Sequence, residues 1–141
     1  MKNPIVLIEI DCWDKAHATA KTLRFCDGLA YRLRASETPA HALYRPFITD
    51  AGWSRVDIFS QPGQYAHLTP GEVTLDDSSG ALGEELLGYA FDGRSIVIRI
   101  GERSAAYPSG YTVILNGTLD GQPSFDWKKI TFRPVDLIAA L

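Results

Sequence analysis

Hydrophobic and polar positions alternate with period two over several short stretches of the chain, and that pattern predicts strands. Val6, Ile8, Ile10 and Cys12 interleave with Leu7, Glu9 and Asp11, which reads as a strand with one face well buried. Residues 22–26 and 29–33 flank Asp27-Gly28, a dipeptide that supplies the positive backbone angles of a type I′ turn, so the spacing predicts a hairpin there. Residues 35–41 read as a loop. Residues 43–48 and 53–59 read as strands turned by Asp50-Ala51-Gly52, and Pro46 marks the first of them as an edge or irregular strand. A short strand is expected at 72–75, followed by the polar turn Asp76-Asp77-Ser78-Ser79-Gly80, whose side-chain oxygens can cap a helix. Leu82, Leu86 and Leu87 then take helical spacing, which predicts about two turns of helix over residues 81–87.

The second half is the most regular. Ile96, Ile98 and Ile100 alternate with Val97 and Arg99 up to Gly101, and residues 111–119 form another β-branched and aromatic run. Asp120-Gly121 turns that run, and residues 127–133 return. Pro134 suits the first turn of a short C-terminal helix, with Val135, Ile138 and Leu141 on one face. The expected fold is mainly β: a single antiparallel β-barrel or sandwich spanning 1–141, with one short internal helix and a short C-terminal helix.

Composition narrows the function. The 141 residues are 45% hydrophobic, enough for one buried core. The net charge is −3 with no Lys/Arg run, which argues against a nucleic-acid partner. The early apolar run, residues 5–8, is far short of the about 20 residues a membrane span needs, and it lacks the h-region and cleavage site of a signal peptide. The expectation is a chain that stays in the cytosol where it is made. Cys12 and Cys26 lack Cys-x-x-Cys spacing and read as buried free thiols.

No motif carries catalysis. His17, His41 and His67 do not form His-Glu-x-x-His, and no Gly-x-Ser-x-Gly, P-loop or dinucleotide fingerprint occurs. Asp76/Asp77 and Glu84/Glu85 are sequence neighbours rather than carboxylates facing across a cleft. The Asp-Asp-Ser-Ser-Gly segment fails the spacing of a calcium loop. The expectation is no enzyme, no metal and no cofactor.

One region carries a resemblance. Residues 72–101 run as a strand, an Asp-rich turn with Asp77 and Gly80, a helix start with Leu82, a Tyr89-Ala90-Phe91-Asp92-Gly93-Arg94 turn, and a strand closing on Gly101. The segment 113–117 with Gly117, Phe125-Asp126-Trp127, and Tyr44-Arg45-Pro46-Phe47-Ile48 extend the pattern. This resembles a family of phage and prophage tail proteins of the baseplate or tail-tip region, over the last half of the chain above all. The resemblance implies a hub-like or tail-tube-like structural protein that assembles into a ring with other phage tail proteins and with copies of itself. It implies assembly in the host cytoplasm and residence in the virion tail. Family members continue past the last strand, whereas Arg133-Pro134-Val135-Asp136 departs from their pattern and the chain ends at Leu141, as an isolated N-terminal domain of a longer tail protein would. Arg24, Arg32, Arg34, Arg94, Arg99 and Arg103 are the candidates for intersubunit ion pairs. Two competing readings remain. A carbohydrate- or host-surface-binding module would group Trp13, Trp53, Tyr65 or Trp127 in an exposed groove. A tail-associated hydrolase would need, for example, Cys26 beside His17.

Overall fold

A computed structural model describes residues 4–37, 39–50, 72–126 and 128–136. Its elements are β1 (Pro4–Asp14), β2 (Thr19–Cys26), β3 (Tyr31–Arg32), β4 (Leu43–Tyr44), β5 (Ile48–Asp50), β6 (Val73–Asp76), α1 (Ala81–Leu86), β7 (Tyr89–Ala90), β8 (Ser95–Glu102), β9 (Thr112–Leu119), β10 (Ser124–Asp126), β11 (Lys129–Phe132) and β12 (Pro134–Asp136). Three antiparallel sheets result. The largest runs β12-β9-β8-β1-β2, with β7 also on β1; the second runs β10-β11-β6-β5; β3 and β4 form a small third. The fold is mainly β and sandwich-like and does not close into a barrel.

The period-two pattern of β1 explains the layering. Val6, Ile8, Ile10 and Cys12 point into the main core, where they meet Leu23 and Phe25 of β2, Ile96, Ile98 and Ile100 of β8, and Val73, Leu75, Ile130 and Phe132 of the second sheet. Each such side chain, buried fully, stabilises the fold by roughly 1.5–3 kcal/mol. Leu82 and Leu86 bring α1 against the same core. The opposite face of β1 is not solvated at its start. Ile5 and Leu7 belong to a second core with Cys26, Tyr31, Leu33, Tyr44 and Tyr111, so β1 is buried on both faces there. Between β8 and β9 the register shifts at Ile98/Arg99, because Ile114 is an extra residue on β9.

Two expectations are corrected. Residues 22–33 do not form a hairpin. β2 pairs with β1 through the turn at residues 15–18, and Tyr31–Arg32 pairs with β4. Gly28 does take a positive φ of 70°, but it makes a corner that leaves the large sheet. Asp27 Oδ1 accepts the Val6 amide at 2.9 Å, and Arg103 Nη2 donates to the Leu29 carbonyl at 2.6 Å, which pins that corner. The side of β2 where a returning strand would lie is taken instead by Arg45, whose amide donates to Arg24 O while its carbonyl accepts from Cys26 N. At the other end, Pro134–Asp136 is a strand on β9 and not the first turn of a helix. A proline without an N–H is tolerated at the start of an edge strand as readily as in a first helical turn. The rest of the expected C-terminal helix and the strand at 53–59 lie outside the described residues.

The β1–β2 turn has its own lock. Asp14 Oδ1 accepts from Ala16 N (3.1 Å) and His17 N (3.3 Å), and its Oδ2 lies 2.7 Å from His17 Nδ1. The His17 hydrogen bond, followed by these backbone contacts, holds the Asp14 carboxyl below its ordinary value. A depressed folded value stabilises the turn above the unfolded carboxyl pKa, about 3.9, and that stabilisation is lost as pH falls through the folded value. In His17→Ala, the carboxyl carbon of Asp14 followed by NMR should titrate nearer the ordinary value. An unchanged midpoint would show that the ring contributes nothing.

Candidate functional site

The residues singled out by the family pattern come together only in part, and where they do they brace the fold. Gly80, at φ 79°, is the N-cap residue of α1 and gives no side-chain cap. Asp77 supplies an oxygen from further back, with its Oδ1 accepting the Gly83 amide at 3.1 Å. Leu82 is buried in the main core, and Gly117 is buried on β9 opposite Ile96. Gly101 is required by contact: a Cβ there would lie 2.4 Å from Tyr111 Cδ1.

Tyr89, Asp92, Gly93 and Arg94 form one knot with the end of β9. Gly93 N donates to Leu119 O (3.0 Å), Leu119 N to Arg94 O (2.8 Å), and Gly121 N to Asp92 Oδ1 (2.9 Å). Gln122 completes it: its Oε1 accepts from Phe91 N (2.6 Å) and Asp92 N (3.1 Å), and its Nε2 donates to Tyr89 O (3.2 Å). Gln122 carries no motif signal, since only the fold brings it to these amides.

The arginines are mostly spent inside the chain. Arg94 pairs with Asp11 at 2.8 Å and Arg99 with Glu9 at 2.8 Å. Arg32, Arg34 and Arg103 donate to the carbonyls of His41, Ser104 and Leu29. Arg24 makes none of these bonds, and its Nε, like that of Arg94, is buried without a hydrogen-bond partner.

The densest ionisable cluster lies around Glu9. Glu9 Oε1 accepts from Tyr44 Oη at 2.6 Å, from Arg99 Nη1 at 2.8 Å, and from the Tyr107 hydroxyl. Arg99 also lies 5.3 Å from the Tyr107 ring centroid. Tyr44, Tyr107, Tyr111 and Tyr31 pack edge-on or tilted, with centroids 6.0–6.3 Å apart. The three bonds converge on one oxygen of this carboxylate and join β1, β4, β8 and the loop after β8. Burial, then the bond to Glu9, pushes the Tyr44 and Tyr107 phenols up, and burial does the same for Tyr111. Phenols whose folded values are raised keep their protons longer in the native state. Stability is therefore full below the unfolded phenol pKa, about 10, and falls as pH rises beyond it. Alkaline titration should show tyrosinate absorbance from these rings appearing together with loss of the strand signal in circular dichroism. Phenols that ionise without unfolding would contradict this.

Cys12 and Cys26 are buried and free, as their apolar settings imply. His17 sits in the β1–β2 turn and Cys26 at the far end of β2, separated by the length of an eight-residue strand. At about 3.3 Å per residue that is more than ~20 Å, so the two cannot form a dyad. Trp13 is 40% exposed on β1; Trp53, Tyr65, Trp127 and His67 lie outside the described residues. Among the described residues no group of three or more His, Cys, Asp or Glu side chains is placed to hold a metal, and no helix is long and apolar enough to cross a membrane.

Among the described residues, the β2 edge of the large sheet is left open. Along β2, Thr19, Ala20, Lys21 and Thr22 are all exposed. The register with β1 is unbroken, and Arg24 and Cys26 direct their backbone groups away from β1 to Arg45. Strand alternation therefore turns the N–H and C=O of Ala20 and Thr22 outward as well. Neither has a backbone partner among the described residues. Beside them is an open groove of about 280 Å³, lined by Lys21, Thr22, Arg24, Leu43, Arg45 and Glu85 among others. No protein-family model matches the chain, and a search of curated proteins finds no match.

Proposed function

We propose that this chain is a structural and assembly component of a phage or prophage tail tip or baseplate, docking on other tail proteins and on copies of itself in a ring-like assembly, without catalysis. It assembles in the host cytoplasm and ends in the virion tail. The observation that carries the reading is the edge of β2 that the described residues leave unpaired, a row of outward amides and carbonyls that another chain can continue. The resemblance of residues 72–101 to tail proteins supports the setting. The internal use of the conspicuous polar residues supports the non-catalytic part, since Glu9, Asp77, Asp92 and Gln122 are each engaged by the fold itself. Ring subunits meet through heterologous contacts, in which one surface faces a different surface of the neighbour. Light scattering over a range of concentrations, alone and mixed with the products of adjacent tail genes, tests the proposal. Concentration-dependent growth or a mixed complex is expected. A chain that stays monomeric and ignores every other tail protein sinks it.

A further inference from the structure

Three features of β2 bear on what kind of chain would dock there. The first is geometry. Arg45 already occupies the position of a neighbouring strand beside Arg24 and Cys26, through an isolated parallel bridge to Phe25. Arg45 is itself fixed. Its guanidinium makes two bonds to Glu85 (3.2 and 2.8 Å) and lies 5.2 Å from the Phe25 ring centroid. The groove continues beside Arg24 and Thr22, so among the described residues the ladder has a built beginning and an unfilled remainder.

The second feature is charge. Glu85 is matched by Arg45, which leaves Lys21 and Arg24 as positive groups with no carboxylate on them in the groove. Lys21 Nζ is steadied by the Tyr89 hydroxyl at 2.8 Å, a neutral partner, and feels the Glu85 and Asp14 carboxylates only at longer range, without a direct ion pair. The third feature is that Arg24, whose Nε is buried without an acceptor, lines the groove without an ion pair, whereas Arg94, with the same orphaned Nε, is already paired with Asp11.

We infer that this edge receives an extended, acidic segment of a partner protein, which adds to β2 as a strand and places carboxylates on Lys21 and Arg24. Backbone pairing supplies affinity, and two carboxylates three residues apart, one on each face of the added strand, supply selectivity, because Lys21 lies on the Leu23 face of β2 and Arg24 on the Cys26 face. A second copy pairing β2 against β2 would set Lys21 and Arg24 of one copy near those of the other, and like charges facing across a ladder are destabilising. The partner segment is therefore a different, acidic surface. The inference rests on the assembly reading and names its docking site.

The test uses the full chain and a fluorescein-labelled hexapeptide Val-Glu-Val-Val-Glu-Val, whose two glutamates fall three residues apart on opposite faces, with Val-Lys-Val-Val-Lys-Val as the contrast. Fluorescence anisotropy should show binding of the acidic peptide alone. Salt screening should weaken it several-fold between about 0.05 and 0.5 M NaCl. Arg24→Glu should lower the affinity at least tenfold. Thr22→Pro removes an N–H that the fold leaves unused at an edge position where proline is tolerated, and it should lower the affinity by a similar factor while the circular dichroism spectrum and Tm are unchanged. Thr22→Ala should bind as the parent does. In hydrogen exchange, the Ala20 and Thr22 amides should gain protection when the peptide is bound. The inference is overturned by absence of binding up to about 1 mM peptide, a free energy weaker than roughly −4 kcal/mol. It is also overturned by equal binding of the basic peptide, or by binding that survives both Arg24→Glu and Thr22→Pro. Dimerisation of the parent abolished by Thr22→Pro would assign the edge to a second copy and overturn it too. The two readings fail separately. If the Arg24→Glu/Thr22→Pro variant still joins other tail proteins, assembly stands and this edge does not. If the peptide binds as described while tail proteins are ignored, the edge stands and the tail setting falls.

Discussion

Glu9→Ala should destabilise the protein by about 2–4 kcal/mol, read as a lower urea midpoint at constant slope. The carboxylate and the Arg99 guanidinium are 20% and 18% exposed, so both are largely out of water without being sealed from it. Deleting Glu9 leaves Arg99 half-buried without its counter-charge and takes the acceptor from the Tyr44 and Tyr107 hydroxyls at once. The upper range for breaking a fully buried pair, about 5 kcal/mol, is reduced here by the remaining access of solvent. Glu9→Gln should cost less, because an oxygen acceptor remains and only the charge is lost. The Glu9→Leu/Arg99→Leu pair should recover part of the deficit, since no orphaned charge is left. A Glu9→Ala variant within about 0.5 kcal/mol of the parent, the scale of an inert surface change, would mean that the cluster is not a brace.

Gly101→Ala should cost about 1–3 kcal/mol and Gly101→Val more, by collision. An added Cβ would meet Tyr111 Cδ1, Cε1 and Cγ at 2.4, 2.8 and 3.0 Å. The ring cannot retreat cheaply, because Tyr31 and Tyr107 pack on it with centroids 6.3 and 6.0 Å away. Tyr111→Ala in the Gly101→Ala background should therefore be less harmful than the two single losses summed, a coupling of at least about 0.5 kcal/mol in a double-mutant cycle. Gly80→Ala and Gly93→Ala meet no atom within 4 Å, and their cost comes from positive φ alone, about 1–2 kcal/mol each. Exact additivity of the Gly101 and Tyr111 changes would remove the contact from the explanation.

What the chain reveals in order along its length is what was legible in it. The alternation of residues 6–12 and 96–100 and the leucine spacing at 82–86 give β1, β8 and α1, because those signals are local. Gly28 and Gly93 were readable as turns for the same reason. The partner of a strand is not local. Asp27-Gly28 announces a bend without saying that Arg45 holds the next lane, so the bend reads as a hairpin when it is a corner. Pro134 suits a helix start and an edge strand equally well by its fixed φ and missing N–H, and only the free side of β9 decides between them. The Glu9 cluster escapes any window on the sequence, since Arg99 and Tyr107 stand 90 and 98 residues away. Gln122 escapes for want of a distinctive residue type. The β2 edge escapes as well: the strand begins at Thr19, ahead of the expected 22–26 run, and its openness depends on where residue 45 stops.

The two thiols add a practical property. Burial pushes the Cys12 and Cys26 thiols up to about 11, so at neutral pH the thiolate is a small minority species at either position. Air and mixed-disulfide chemistry consume the thiolate, and its scarcity lets the folded domain persist in oxygenated surroundings with both sulfurs reduced. The same scarcity turns slow alkylation into a stopwatch for the rare moments when β1 and β2 part.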